Sequence, residues 1–307
     1  MVIDVPTPIS APRPLAGALV APGLRQRVAD LVALTKPKVQ LLLLLTTVTA
    51  MYAAGSPSPE LVLLTLLGGS LSAGGASAIN HWFDRDIDAH MPRTQDRPIP
   101  SGRMEPHVAL WVGLWLTIAS FLLLAVAANM TAALLSLAGF AWYVGIYTMW
   151  LKRRSTQNIV IGGVAGAFPP MVGWAAVTGG FAWESVYPFL IVFAWTAPHF
   201  WALSLLVKDD YAAAGVPMLP VVRGERATYR AITAWSAITV VVSVLPVATG
   251  TFGAIYLVAA VVLGVELMRR SWLLQRDGTR ARALALHLFA LAYLAALFAA
   301  MVADAKL

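Results

Sequence analysis

The sequence predicts an all-α fold: a polytopic membrane bundle of about nine transmembrane helices, with its active-site loops on the cytoplasmic side. Three observations carry this. Of the 307 residues, 59% are hydrophobic and only 12% charged, against about 25% charged in a typical soluble domain. Mean hydropathy is +0.74, and apolar runs near the ~20-residue length needed to cross hydrocarbon recur along the chain. The basic residues fall almost entirely into every second gap between those runs. No strand-length alternation of apolar and polar residues is present, which argues against an outer-membrane barrel. The absence of Cys excludes disulfides, thiolate metal ligands and thiol catalysis.

Taken in order, residues 1–35 are expected to form a disordered cytoplasmic segment, rich in Pro and Ala over its first thirty positions. The apolar piece from Pro14 to Leu24 is interrupted by Pro22 and Gly23 and makes a poor signal peptide, so no cleavage is expected. Spans are expected near 39–56, 60–80, 106–127, 130–150, 157–177, 186–206, 230–249, 251–269 and 283–303. Only Thr249-Gly250-Thr251 separates the seventh from the eighth, so eight is the other count the sequence allows. Pro169 and Pro170 are expected to break the fifth span near its middle, and Pro198 to kink the sixth.

The gaps after spans one, three, five and seven contain no Lys or Arg. The N-terminal segment and the gaps after spans two, four, six and eight hold all 22 basic residues except Lys306. The positive-inside rule then puts the N-terminus in the cytoplasm and the C-terminus outside, in a multi-pass protein of the cell (inner) membrane. The net charge of +7 is thereby a topology signal that needs no nucleic acid. Twelve of the fifteen acids also lie on the cytoplasmic side, all but Glu60, Glu184 and Asp304. Topology exerts weak pressure on acids, so their concentration there needs another cause.

The densest cluster runs from Asn80 to Pro98, with four acids and three arginines in nineteen residues directly after the second span. Ionisable groups at a bilayer edge are costly to desolvate and mark functional sites. Carboxylates beside arginines suggest a divalent metal and a phosphorylated substrate. Asn80, Asp84 and Asp88 are spaced i, i+4, i+8, which on a helix places them on one stripe drifting about 40° per step. A hard cation between them offsets their repulsion, and Mg²⁺ suits such oxygen ligands. The same spacing also suits a solvated helix end tied by salt bridges.

A second cluster closes the sixth span: His199 inside the apolar run, then Lys208, Asp209, Asp210 and Tyr211. Asp209 and Asp210 can hold a second Mg²⁺ on one diphosphate, or they are loop residues. His199 is either a ligand or a hydrogen-bonded core residue. A third cluster ends the fourth span, where Tyr143 and Tyr147 precede Lys152-Arg153-Arg154. That triplet is a diphosphate clamp or a topology anchor.

Together these elements resemble the intramembrane aromatic prenyltransferase superfamily, whose signature Asn-x-x-x-Asp-x-x-x-Asp follows span two and is matched in full by Asn80, Asp84 and Asp88. The wording is most similar to the protoheme IX farnesyltransferase (heme O synthase) family. It is carried by Asp84-Arg85-Asp86-Ile87-Asp88 with Met91, Arg93, Thr94, Arg97 and Pro98, and by Tyr147-Thr148 with Leu151-Lys152-Arg153. Asn158 to Gly163, Pro198-His199-Phe200-Trp201-Ala202-Leu203, and Asp209-Asp210-Tyr211 with Gly215 to Pro220 complete it. Many relatives carry a second Asp-rich repeat after span six; this chain has adjacent Asp209 and Asp210 there.

The resemblance implies a prenyltransferase domain over residues 36–307 that transfers the farnesyl group of farnesyl diphosphate to a vinyl group of heme b. Water adds in the same reaction, giving heme O and diphosphate, a step towards heme A. It implies Mg²⁺ as cofactor on Asp84, Asp88, Asp209 and Asp210, with heme b as a substrate. Asn80, Lys152 and His199 are then catalytic, and Arg93, Arg97, Tyr147 and Arg153 bind substrate. Membrane lipid surrounds the farnesyl chain, and a downstream heme-modifying enzyme is an expected partner. A quinone-precursor prenyltransferase is the nearest alternative. An ion-coupled transporter fits less well, because the charges lie at one edge and no inverted repeat is visible.

Overall fold

The computed structural model describes residues 23–307. The chain opens with α1 (Leu24–Thr35), α2 (Pro37–Ala54), α3 (Pro59–Phe83) and the single turn α4 (Arg85–Asp88). After a compact loop come α5 (Pro106–Ala127) and α6 (Met130–Ala141). The latter runs on as a π-helix over Trp142–Trp150 and a 3₁₀ turn over Leu151–Arg153. Next are α7 (Asn158–Gly162), α8 (Val164–Thr178) and α9 (Val186–Leu206). The short α10 (Lys208–Ala213) and α11 (Leu219–Val222) lead to α12 (Gly224–Ala248), α13 (Ala254–Asp277) and α14 (Arg280–Lys306). No strand occurs among the described residues.

The boundaries follow local chemistry. Pro37, Pro59 and Pro106 stand in the first turn of α2, α3 and α5, where a missing N–H removes nothing the helix would use. Ser58, Asn129 and Thr279 cap α3, α6 and α14, accepting from the amides of Leu61, Ala132 and Arg282. Among the described residues, eight helices are long and apolar enough to cross a membrane. The ninth long helix, α13, carries Glu266, Arg269 and Arg270 beyond its apolar half. The expected bundle of about nine helices is therefore found, and the protein is an integral membrane protein.

Packing is antiparallel between chain neighbours: α3 on α5, α5 on α6, α6 on α8, α8 on α9, α9 on α12, α12 on α13 and α13 on α14. Helix α2 lies against both α8 and α14 and so ties the first half to the last. Lipid gives helices no hydrophobic reason to associate, so close backbone approach at small residues does this work. A Cβ on Gly113 would stand 2.5 Å from Ile79 Cγ1 and 2.9 Å from the Gly75 carbonyl, which fixes α3 on α5. A Cβ on Gly173 would meet the Thr47 carbonyl, which fixes α8 on α2. Hydroxyls join α12, α13 and α14: Ser236 to Ser271 at 2.8 Å, Ser243 to Tyr293 at 2.8 Å, and Tyr256 Oη donating to the Ser243 carbonyl at 2.7 Å.

Two expectations need correction. Disorder does not extend over residues 24–35, which form α1; the rest of that expected segment, residues 1–22, lies outside the described residues. Helix α1 is held because Leu34 joins Ala78, Ile99 and Ala109 in a buried cluster, and Asp30 takes Arg103 at 3.2 Å. The fifth span breaks at Gly162-Gly163, between α7 and α8, and helix continues through Pro169 and Pro170. Gly162 and Gly163 carry no Cβ where Tyr147 and Thr196 crowd in. Pro198 lies inside α9, where the proline ring removes one helical hydrogen bond.

Candidate active site

All three sequence clusters meet at one end of the bundle. Asp84 is the C-cap of α3, and the amide of Asp84 donates to the Asn80 carbonyl at 2.9 Å. The amide of Asp88 in turn donates to the Asp84 carbonyl at 2.8 Å. The helical i→i−4 bonds thus survive both steps, although the chain bends at Asp84. Asn80, Asp84 and Asp88 are all buried, Asp84 and Asp88 to within 1%.

Burying carboxylates requires partners, because desolvation of an unpaired charge is costly. Lys152 forms a short ion pair with Asp84 Oδ2, and the Asn80 carboxamide donates to the same oxygen at 2.6 Å. Arg153 approaches Asp84 Oδ1 at 3.4 Å. The same guanidinium grips both oxygens of Asp86 at 2.6 Å, donates to the Phe83 carbonyl at 3.0 Å and lies over the Phe83 ring at 4.8 Å. Hydrogen bonding from Arg153 holds the Asp86 carboxyl below the usual carboxylate range. Arg97 reaches back from the loop to Asp88 Oδ2 at 2.5 Å. That loop is pinned by Thr94, whose hydroxyl donates to the Asp88 carbonyl at 2.7 Å, and by buried Met91.

The second cluster joins through Arg93, whose Nε stands 3.4 Å from Asp210 and whose guanidinium lies 5.0 Å from the Tyr211 ring centroid. Asp209 is exposed. Tyr147 lies on the π-helix with Tyr143, ring centroids 5.4 Å apart, and packs over Gly162. His199 is not drawn into this group. Its ring stacks between Trp195 at 4.3 Å and His287 at 4.4 Å, and it is buried in the α9–α14 contact.

Several residues join the site that the sequence reading did not select. Lys36 Nζ donates to Asn80 Oδ1 at 3.1 Å. Burial pushes the Lys36 ammonium down to about 7, helped by Arg97 and Lys152 and opposed by Asp88 and Asp84. Thr148 is fully buried and accepts from Asn80 Nδ2 at 3.3 Å. Asn158, also fully buried, donates to the Lys152 carbonyl at 3.4 Å. His81 is buried beside Asn80. Lys36 read as one more topology charge, whereas Thr148 and Asn158 sit inside the motif wording. The π-helix had no sequence signal; such insertions are frequent at functional sites.

The donor chemistry fits Mg²⁺. Asp84 and Asp88 offer hard carboxylate oxygens one turn apart, and Asp210 stands across the loop from them. Every one of these carboxylates is paired with Lys or Arg. No group of three or more His, Asp or Glu converges as a ready-made cage among the described residues.

The UbiA prenyltransferase family profile matches residues 42–302. A curated relative from Chloroflexus aurantiacus, named protoheme IX farnesyltransferase, is 52% identical over 97% of this chain and 51% of its own length. A relative of the same name from Gloeobacter violaceus is 49% identical over 92% of this chain and 94% of its own. The chain spans about half the length of the first curated relatives it matches, 51%, 57% and 52%. Among solved structures, a study of digeranylgeranylglyceryl phosphate synthase gives a TM-score of 0.75 at 19% identity, covering 92% of this chain and 100% of that one. A UbiA homolog from Archaeoglobus fulgidus bound to DMAPP and Mg²⁺ gives 0.64 at 16% identity, covering 89% and 99%. These structural likenesses show a shared fold.

Proposed function

The chain belongs to the UbiA prenyltransferase family, and from that premise we propose that it transfers the farnesyl group of farnesyl diphosphate to a vinyl group of heme b, with addition of water, giving heme O and diphosphate. The observation that carries this reading is the buried pair Asp84 and Asp88, each matched by a cation, with the half-buried Asp210–Arg93 pair beside them at one end of an apolar bundle. Relatives of about 50% identity named protoheme IX farnesyltransferase support heme b as the acceptor. The site faces the cytoplasm of the cell (inner) membrane in this proposal, since the basic loops gather there.

Asp84 and Asp88, with Asp210 and its neighbour Asp209, are the residues that would hold Mg²⁺. When bound, Mg²⁺ neutralises charge on the diphosphate. Lys152, Arg153, Arg93 and Arg97 turn from those carboxylates to the diphosphate oxygens and stabilise charge as the allylic C–O bond breaks. Asn80 steadies the Asp84 carboxylate. The vinyl carbon forms the new C–C bond with the allylic carbon, and water adds its oxygen to the resulting cation and loses a proton. Tyr147, between Gly162 and the charged cluster, lines the approach of the prenyl chain. The rest of that chain lies among apolar helices and membrane lipid. A downstream heme-modifying enzyme takes the product.

The test is incubation of the purified protein with heme b, farnesyl diphosphate and Mg²⁺, followed by chromatography of the porphyrins. A product heavier by one farnesyl group and one hydroxyl group is expected. Absence of conversion by folded protein refutes the reading.

A further inference from the structure

We infer that Lys36 is a positioning residue for the Asn80–Asp84 pair, an inference that rests on reading this end of the bundle as the metal–diphosphate site. Lys36 is the one non-glycine residue with positive φ among the described residues, at 48°. Left-handed backbone in a residue with a Cβ is strained and persists only where its surroundings hold it. Here they do. Lys36 ends α1, and Pro37 starts α2, so the chain turns sharply between two helices. Gln40 Nε2 donates to the Thr35 carbonyl at 2.7 Å and braces the corner. Helix α3 admits it at Gly74, where a Cβ would stand 3.2 Å from Thr35 Cγ2.

This corner delivers the Lys36 ammonium to Asn80 Oδ1. An ammonium only donates and an ionised carboxylate only accepts, so a carboxamide between them has one orientation. Its oxygen faces Lys36, and its Nδ2 faces Asp84 at 2.6 Å and Thr148 at 3.3 Å. Lys36 therefore engages the Asn80 oxygen and polarises the amide towards Asp84. Asn80 serves the site by orienting Asp84, and Lys36 serves it by orienting Asn80.

The experiment is a double-substitution cycle read by binding. The probe is Mn²⁺ with inorganic diphosphate, and bound Mn²⁺ is measured by electron paramagnetic resonance on full-length protein in detergent. Lys36→Met is expected to weaken Mn²⁺–diphosphate binding about tenfold, the equivalent of ~1.4 kcal/mol. Lys36→Arg, which keeps a charged donor, is expected to stay within threefold of the unsubstituted chain. In an Asn80→Ala background, Lys36→Met should change binding less than twofold, because the group it positions is gone. Multiplicative losses in the double variant would show that Lys36 acts independently of Asn80 and would overturn the inference. Unchanged binding in Lys36→Met would do the same. If Lys36→Met does not fold, the Arg variant in both backgrounds decides: a loss beyond threefold present equally with and without Asn80 overturns the inference. No Mn²⁺–diphosphate binding by the unsubstituted chain would instead remove the underlying reading of the site.

Discussion

Removing the Asp84 carboxylate is expected to separate stability from activity in a way that depends on Lys152. Asp84 has no exposed surface and receives Lys152, Arg153 and Asn80. After Asp84→Ala, Arg153 keeps both oxygens of Asp86, and Asn80 keeps Thr148. Lys152, itself buried, loses the carboxylate it is paired with. Stranding one partner of a buried ion pair costs about 3–5 kcal/mol. At roughly 2–4 °C per kcal/mol for a long chain, the apparent Tm should fall on the order of 10 °C. Replacing both partners by apolar groups is often nearly neutral. Asp84→Ala/Lys152→Met should therefore recover most of the lost Tm, since the Met side chain fills the lysine stem's space. Turnover should stay at least about 100-fold below the unsubstituted enzyme in both variants, because each lacks the carboxylate and the double also lacks the clamp. The measurements are thermal unfolding in one detergent and diphosphate release from farnesyl diphosphate. A double variant no more stable than Asp84→Ala, or one that turns over normally, would refute this account.

Asp88→Ala strands a less buried cation, since Arg97 is 24% exposed; the Tm loss should be smaller than for Asp84→Ala, with turnover equally lost, and a larger Tm loss would count against the pairing described. Gly113→Ala forces a methyl group against Ile79 and the Gly75 backbone, so α3 and α5 should separate at a cost of about 1–3 kcal/mol; an unchanged Tm would refute the close contact. Burial holds the Lys36 ammonium down to about 7 in the folded chain, below the ordinary lysine value of 10.5. Between those values the unfolded chain holds more protons, so stability should rise with pH across that window. Lys36→Met should lack this increment when Tm is compared at pH 7 and pH 9, and equal slopes would contradict it.

The amphipathic detail of the helices was of little use here, yet the fold was largely legible. Runs of about 20 apolar residues need no tertiary context to be read as spans, because bilayer thickness alone sets their length. The breaks were less legible. Pro169 and Pro170 are strong local signals, yet helix continues through them and the interruption falls at Gly162-Gly163. Lys36 was indistinguishable from a topology lysine, because its contact with Asn80 spans 44 residues of sequence.

By itself, the sequence determined the solvent, the number of spans to within one, and which loops share a side, since all three follow from hydropathy and charge counted along the chain. It also determined that Asn80, Asp84 and Asp88 fall on one stripe, because helical geometry is local. Only the tertiary structure decided which cation meets which carboxylate. Lys152 goes to Asp84, Arg97 to Asp88 and Arg93 to Asp210, while His199 turns into the α9–α14 contact. Those pairings depend on distances between helices far apart in sequence, set by small-residue packing and by the bend at Asp84, and no local pattern encodes them.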